Sequence, residues 1–192
     1  MKVVAGLGNP GERYRGTRHN VGFEVIDLLA RRHGLVFESS PVEAMQARWR
    51  GDTDTVVLAK PLTFMNLSGH AVVELCRYYR VELPDVLIVC DDVNLPVGRL
   101  RARANGSEGG HNGLRSIAAQ LGTSEYGRLR VGVGRGDLKR DLSNHVLAKF
   151  DVEEQIAMER AIVRSADAVE TWVSHGIDRM MSTCNRAVEA TE

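Results

Sequence analysis

Cysteine is scarce in this chain of 192 residues: Cys76, Cys90 and Cys184 are the whole complement. An odd number without CxxC spacing fits no disulfide framework, gives no support to a zinc site, and suits a reducing compartment. Long apolar runs are missing as well. No window approaches the roughly 18 uninterrupted apolar residues that a membrane span needs. The opening MKVVAGLGNPG has no apolar stretch before a small-residue cleavage site, so no secretory signal is expected. A cytoplasmic protein is the expectation. Internal repeats, low-complexity tracts and an interdomain linker are also lacking. With 43% apolar and 26% charged residues, one soluble domain over residues 1–192 is predicted.

Net charge is absent too, with 25 basic against 25 acidic side chains, but the balance is uneven. Residues 1–97 hold eleven basic and twelve acidic groups, and residues 141–192 hold five and ten. Residues 98–140 hold nine basic and three acidic, a local excess of six. A polyanion could be bound there through neutralised phosphates. A solvated charged face is the alternative.

Periodicity gives alternating strands and helices. Val3-Val4-Ala5 reads as a strand opening into the glycine-rich Gly6–Gly11 loop. Val21, Val25, Leu28 and Leu29 mark a helix ending at Gly34. Strands are predicted around residues 44–49 and 55–59. A helix through Val72, Leu75, Cys76 and Tyr79 follows, with Asn66 or Ser68 as its cap. Val86-Leu87-Ile88-Val89-Cys90 reads as a central, doubly buried strand ending at Asp91 and Asp92. A strand over 98–103, a glycine-rich loop over 106–113, a helix capped by Asn112 and a strand over 129–133 come next. A helix over 152–174 precedes a tail, 176–192, expected to be poorly ordered. The fold class is α/β: a single domain with a mixed, mainly parallel twisted sheet flanked by helices.

Polar residues gather at strand ends and in loops: Asn9, His19, Asn66, Asp91, His111 and Asn112. In open α/β sheets, ligands sit outside the carboxyl ends of strands. A histidine and an aspartate can form a base and its orienting carboxylate. Ser107 lies in GSEGG rather than a GxSxG elbow, so water is the nucleophile this set favours, with amides available to an oxyanion. Each residue also has a plainer reading as a cap or turn residue. Gly6, Gly8 and Gly11 match dinucleotide-loop spacing, yet Pro10 removes an amide donor there and no helix opens, which argues against a nucleotide cofactor. His33, His70, His145 and His175 have no evident partner and read as surface residues.

Four segments in order resemble the bacterial-type peptidyl-tRNA hydrolase family: GLGNPGERYRGTRHNVGF at 6–23, PLTFMNLSG at 61–69, DDVNLPVGRLRARANGSEGGHNGLRSI at 91–117 and RLRVGVGR at 128–135. The resemblance implies an enzyme that cleaves the ester between peptide and tRNA, without metal or cofactor and as a monomer. It implies His19 as catalytic base and Asp91 as its orienting carboxylate. It implies Asn9, Asn66 and Asn112 as amides for peptide, ribose and water, Met65 and His111 as cavity walls, and Tyr14 as an aromatic beside the histidine. Arg101, Arg103 and Arg130 fall where such enzymes hold tRNA phosphates, inside the basic segment. Residues 136–150 correspond to a mobile lid. Two rivals are a non-catalytic RNA-binding relative and a general esterase or amidase with the same site.

Overall fold

A computed structural model describes residues 1–51, 54–136 and 141–186. Its centre is the run that sequence marks as most apolar: β5 (Val86–Asp92) is buried at every position. Beside it lie β1 (Lys2–Gly6), then β4 (Thr55–Pro61), β3 (Ala44–Arg50) and the short β2 (Glu38–Ser39). On the other side come β7 (Gly127–Gly132) and β6 (Leu100–Arg103). The order is β2-β3-β4-β1-β5-β7-β6. The strands β4-β1-β5-β7 run parallel, and the outer pairings are antiparallel. The mixed, mainly parallel sheet is as predicted; β2 was not.

Two layers of helix cover the sheet. On one face α1 (Val21–Arg32) and α5 (Val152–Cys184) bury Ile26, Leu29, Val169 and Trp172 against Leu58, Leu87 and Leu129. On the other, α2 (Ser68–Tyr79) and α3 (Asn112–Leu121) bury Val72, Leu114 and Ile117 against Ala5, Ile88 and Cys90. The loops after β1 and β4 therefore lead to opposite faces, which opens a crevice at the carboxyl ends of the central strands.

Glycine sets how closely α1 lies on that crevice. A Cβ on Gly22 would stand 2.5 Å from Leu7 N, Leu7 O and Val89 O, and one on Gly6 would stand 2.3 Å from Gly22 O. Helix and sheet backbones thus touch where the chain has just passed His19, and no side chain fits between them.

Several expectations need correction. The final helix does not stop near Ser174. It bends at Gly176 (φ 81°) and continues to Cys184, because Ile177, Met180 and Met181 still find the core. Asn185 then acts as a surrogate strand: Ala102 N donates to Asn185 Oδ1 at 2.7 Å, and Asn185 Nδ2 donates to Ala102 O at 3.0 Å. Those bonds occupy the otherwise open edge of β6. The expected tail retains only residues 187–192, which lie outside the described residues. Neither Asn66 nor Ser68 caps α2; its cap position is Leu67. His33 is not a bare surface residue, since it stacks on Trp49 at 3.9 Å with Nε2 beside Glu170 at 3.1 Å. His145 Nε2 bonds Gly134 O at 2.9 Å. No helix among the described residues is long and apolar enough to cross a membrane.

Candidate active site

The crevice is a cavity of about 440 Å³, walled by residues from the ends of three strands, the start of one helix and a further short helix. Asn9 comes from the loop after β1, Met65 and Asn66 from the loop after β4, and Asp91 from the end of β5. His111 and Asn112 come from the start of α3, and Leu142, Ser143 and Val146 from α4 (Leu142–Val146). His19 enters on a 3-10 turn, Arg18–Asn20, that leads directly into α1.

His19 and Asp91 form the core of the site. His19 Nδ1 lies 2.8 and 2.9 Å from the two Asp91 oxygens, and both residues are buried. A carboxylate only accepts, so Nδ1 carries the proton and donates, and in the neutral imidazole Nε2 holds the lone pair. His111 completes a second bond to the same carboxylate, donating Nε2–H to Asp91 Oδ1 at 2.8 Å. Its tautomer is fixed from behind: Gly113 N and Leu114 N donate to His111 Nδ1 at 3.1 and 3.3 Å. Burial alone would push the Asp91 carboxyl up, but the two histidines outweigh it and hold it well below the usual carboxylate range. The ligand atoms of His19, Asp91 and His111 all lie within 4.8 Å of one another, a spacing a metal ion could use. The chemistry is against it. His111 Nε2 bears a proton in this tautomer and has no lone pair to offer, so the three groups read as a hydrogen-bonded chain.

The amides differ in freedom. Asn9 Oδ1 accepts Met65 N–H at 2.8 Å, so its Nδ2 is the end left to a ligand. Asn20, which sequence reasoning passed over, clamps Asn9: its Oδ1 accepts Asn9 N–H at 2.8 Å and its Nδ2 donates to Asn9 O at 3.0 Å. Nothing but adjacency to His19 could have flagged it. Asn66 and Asn112 are exposed on the cavity wall. Asn112 is not the cap of α3, because the His111 side chain takes that role. Tyr14 does not line the cavity. The turn Glu12–Tyr14 carries its ring outward to an edge contact with Phe64, 6.4 Å between centroids. Phe64 does line the cavity, as do Val93 and Leu147, all absent from the sequence-based set.

The arginines fall into two groups. Arg101 and Arg103 are exposed on edge strand β6, with no carboxylate partner among the described residues. Their cross-strand neighbours are Arg130 and Arg128. These two are buried. Arg130 Nη1 bonds Asp92 Oδ2 at 3.2 Å and Nη2 bonds Ser107 O at 2.5 Å. Arg128 donates to Gly106 O and Ser124 O, each at 2.6 Å. Arg130 reaches the cavity wall, but it also holds the glycine-rich loop and is no freely extended cation. In the basic segment, residues 137–140 lie outside the described residues, and so does that part of the expected lid.

The chain is similar to known proteins over nearly its whole length. The sequence profile described as peptidyl-tRNA hydrolase matches residues 3–192. A peptidyl-tRNA hydrolase of Chlorobaculum parvum is 45% identical over 189 residues, covering 98% of this chain and 100% of its own. One of Chloroflexus aurantiacus is 47% identical over 186 residues, covering 96% and 99%. A crystal structure of a peptidyl-tRNA hydrolase in complex with n-propanol superposes with a TM-score of 0.92 at 34% identity, over 99% of this chain and 97% of that one.

Proposed function

The chain belongs to the peptidyl-tRNA hydrolase family, and from that premise we propose that His19 is the base that drives hydrolysis of the ester between peptide and tRNA. The observation that carries this is the 2.8 Å contact of His19 Nδ1 with a buried, twice-bonded carboxylate in the cavity wall, which assigns the proton of the neutral imidazole to Nδ1 and its lone pair to Nε2. Nε2 takes a proton from water. The hydroxide attacks the ester carbonyl carbon, and the tetrahedral oxyanion is met by amide N–H donors of the cavity wall. The intermediate collapses with the tRNA 3′ oxygen as leaving group, which recovers the proton from the imidazolium. Asp91 stays ionised throughout and stabilises that imidazolium. Water balances the reaction and no further reagent enters it. The reading needs no residue from a second chain, and we propose a monomer acting in the cytoplasm, as the family resemblance implies.

Asn9 Nδ2, Asn66 and Asn112 are the groups we assign to the N-acylated aminoacyl moiety and the terminal ribose. A peptide offers a neutral N–H and C=O there. A free aminoacyl group offers an ammonium, which amide donors match poorly. Met65, Phe64 and the apolar residues of α4 suit the peptide side chain. Arg101 and Arg103 suit the phosphates of the acceptor arm, with Arg130 nearer the cavity as a third, already tethered, cation. Such contacts position the nucleic acid without reading its sequence.

The test compares release of amino acid from N-acetyl-aminoacyl-tRNA and from the unacetylated form. Rapid cleavage of the first with sparing of the second is the expected result. Equal turnover of both, or of simple esters without tRNA, would replace this reading with a general esterase.

A further inference from the structure

The 3-10 turn that carries His19 is held from two sides, and only one of them, the Asn20 clamp on Asn9, belongs to the site described above. The other is Arg18, whose side chain is buried and does not line the cavity. Its backbone N–H donates to Ala148 O at 3.0 Å. Its guanidinium donates to Lys149 O and to Glu154 Oε2, and lies 5.0 Å from the centroid of the Phe150 ring. Beside it, Thr17 forms an antiparallel bridge with Lys149. Glu154 is itself fixed, since the same Oε2 accepts Asp151 N–H at 2.9 Å at the start of α5.

These partners lie just after the segment that lines one side of the cavity, at its junction with α5. That segment presents Leu142, Val146 and Leu147 to the cavity, and the bond from His145 to Gly134 O is a further anchor. One buried cation therefore ties the end of the lining segment to the residue preceding the base. An arginine with only 4% exposure needs a charged partner, and a planar fork can grip a carbonyl and a carboxylate at once where an ammonium cannot.

We propose that Arg18 is a positioning residue for the hydrolysis: its fork on Lys149 O and Glu154 locks the end of the lining segment to the turn that aims the His19 imidazole. The proposal rests on His19 being the base. It is distinct from a general role in stability, because the fork acts on the angle of one ring.

The experiment uses the full chain with Arg18→Lys, Glu154→Gln and His19→Ala, each measured in single turnover on N-acetyl-aminoacyl-tRNA alongside a melting curve. Glu154→Gln keeps an oxygen for Asp151 N–H and so guards against a variant that fails to fold. Misplacing a reacting group by an ångström costs up to about a hundredfold, so kcat is expected to fall roughly ten- to a hundredfold in both variants with KM nearly unchanged. The downfield imidazole N–H proton resonance of His19 should also move or broaden. Glu154→Gln should be the milder, because its amide oxygen can still accept from both Arg18 and Asp151 N–H and only the charge is lost. Folded variants with wild-type kcat and an unmoved resonance would overturn the proposal, as would losses that merely track the melting temperature. Should His19→Ala retain full activity, the base assignment itself falls.

Discussion

Replacing Asp91 by asparagine tests the hydrogen-bonded chain where it is most constrained. The carboxylate receives His19 Nδ1–H at 2.8 and 2.9 Å and His111 Nε2–H at 2.8 Å, and is 1% exposed. His111 cannot change tautomer cheaply, because two backbone N–H groups occupy its Nδ1. In the Asp91→Asn variant the new amide oxygen must therefore stay with His111, which turns the amide N–H₂ toward His19. His19 Nδ1 keeps that oxygen at 2.8 Å but now also meets the N–H₂ at the Oδ2 position, 2.9 Å away; the donor–donor contact drives its proton to Nε2, and the Nε2 lone pair is lost. The result is the wrong tautomer together with the loss of the charge that stabilises the imidazolium. General-base catalysis and its orienting carboxylate are worth roughly 10²–10⁴-fold, so kcat should fall by that range while KM changes little. Single-turnover release from N-acetyl-aminoacyl-tRNA is the assay. A variant within a few-fold of wild type would refute the tautomer argument. Stability carries a second signature. The folded Asp91 carboxyl lies below its usual range, so its contribution is present in full above about pH 4 and is lost as the pH falls further. Acid unfolding of the Asp91→Asn variant should be correspondingly less steep below about pH 4.

Three further outcomes follow from other parts of the molecule. Gly22→Ala places a methyl 2.5 Å from three backbone atoms that cannot move independently. It should cost at least about 1–3 kcal/mol, visible as a lower denaturation midpoint, and an unchanged midpoint would mean that α1 is not seated on the strands as described. Burial pushes the thiols of Cys76 and Cys184 up to about 11 and that of Cys90 up to about 12. The native protein should resist iodoacetamide at about pH 8 until unfolded. Because these values are raised, their stabilisation is present below the unfolded thiol value near about pH 8.5 and is lost above it. Melting temperature should drop on going alkaline, and rapid native labelling would contradict the packing. Replacing Arg101 and Arg103 by Ala removes two exposed cations, which should make the salt dependence of tRNA affinity shallower by about 1.4–1.8 in log–log slope. An unchanged slope would move the nucleic-acid track elsewhere.

Much of the fold was legible because its signals are local. The apolar run of β5, the helical spacing of α1 and the glycine loops each announce themselves within a few residues. The polar residues at strand ends were legible for the same reason, since loops on a rigid α/β frame are where they converge. What escaped was long-range. Asn185 completing the edge of β6, Arg18 reaching Lys149 and Glu154, and His33 stacking on Trp49 are pairings across the chain that no spacing encodes. The basic segment shows the limit of counting charge. Arg128 and Arg130 contribute to the local excess yet are turned inward to hold loop carbonyls, because β7 is buried at every position. His111 was expected as a wall and proves to be a second donor to Asp91, a role visible only once its Nδ1 is seen to be occupied.

The central claim is that one imidazole activates water. Its most direct test is single-turnover release from N-acetyl-aminoacyl-tRNA by wild type and His19→Ala, with tRNA binding measured in parallel. The account predicts a loss of at least about a hundredfold in the chemical step with tRNA affinity kept. Wild-type turnover by the variant would contradict it.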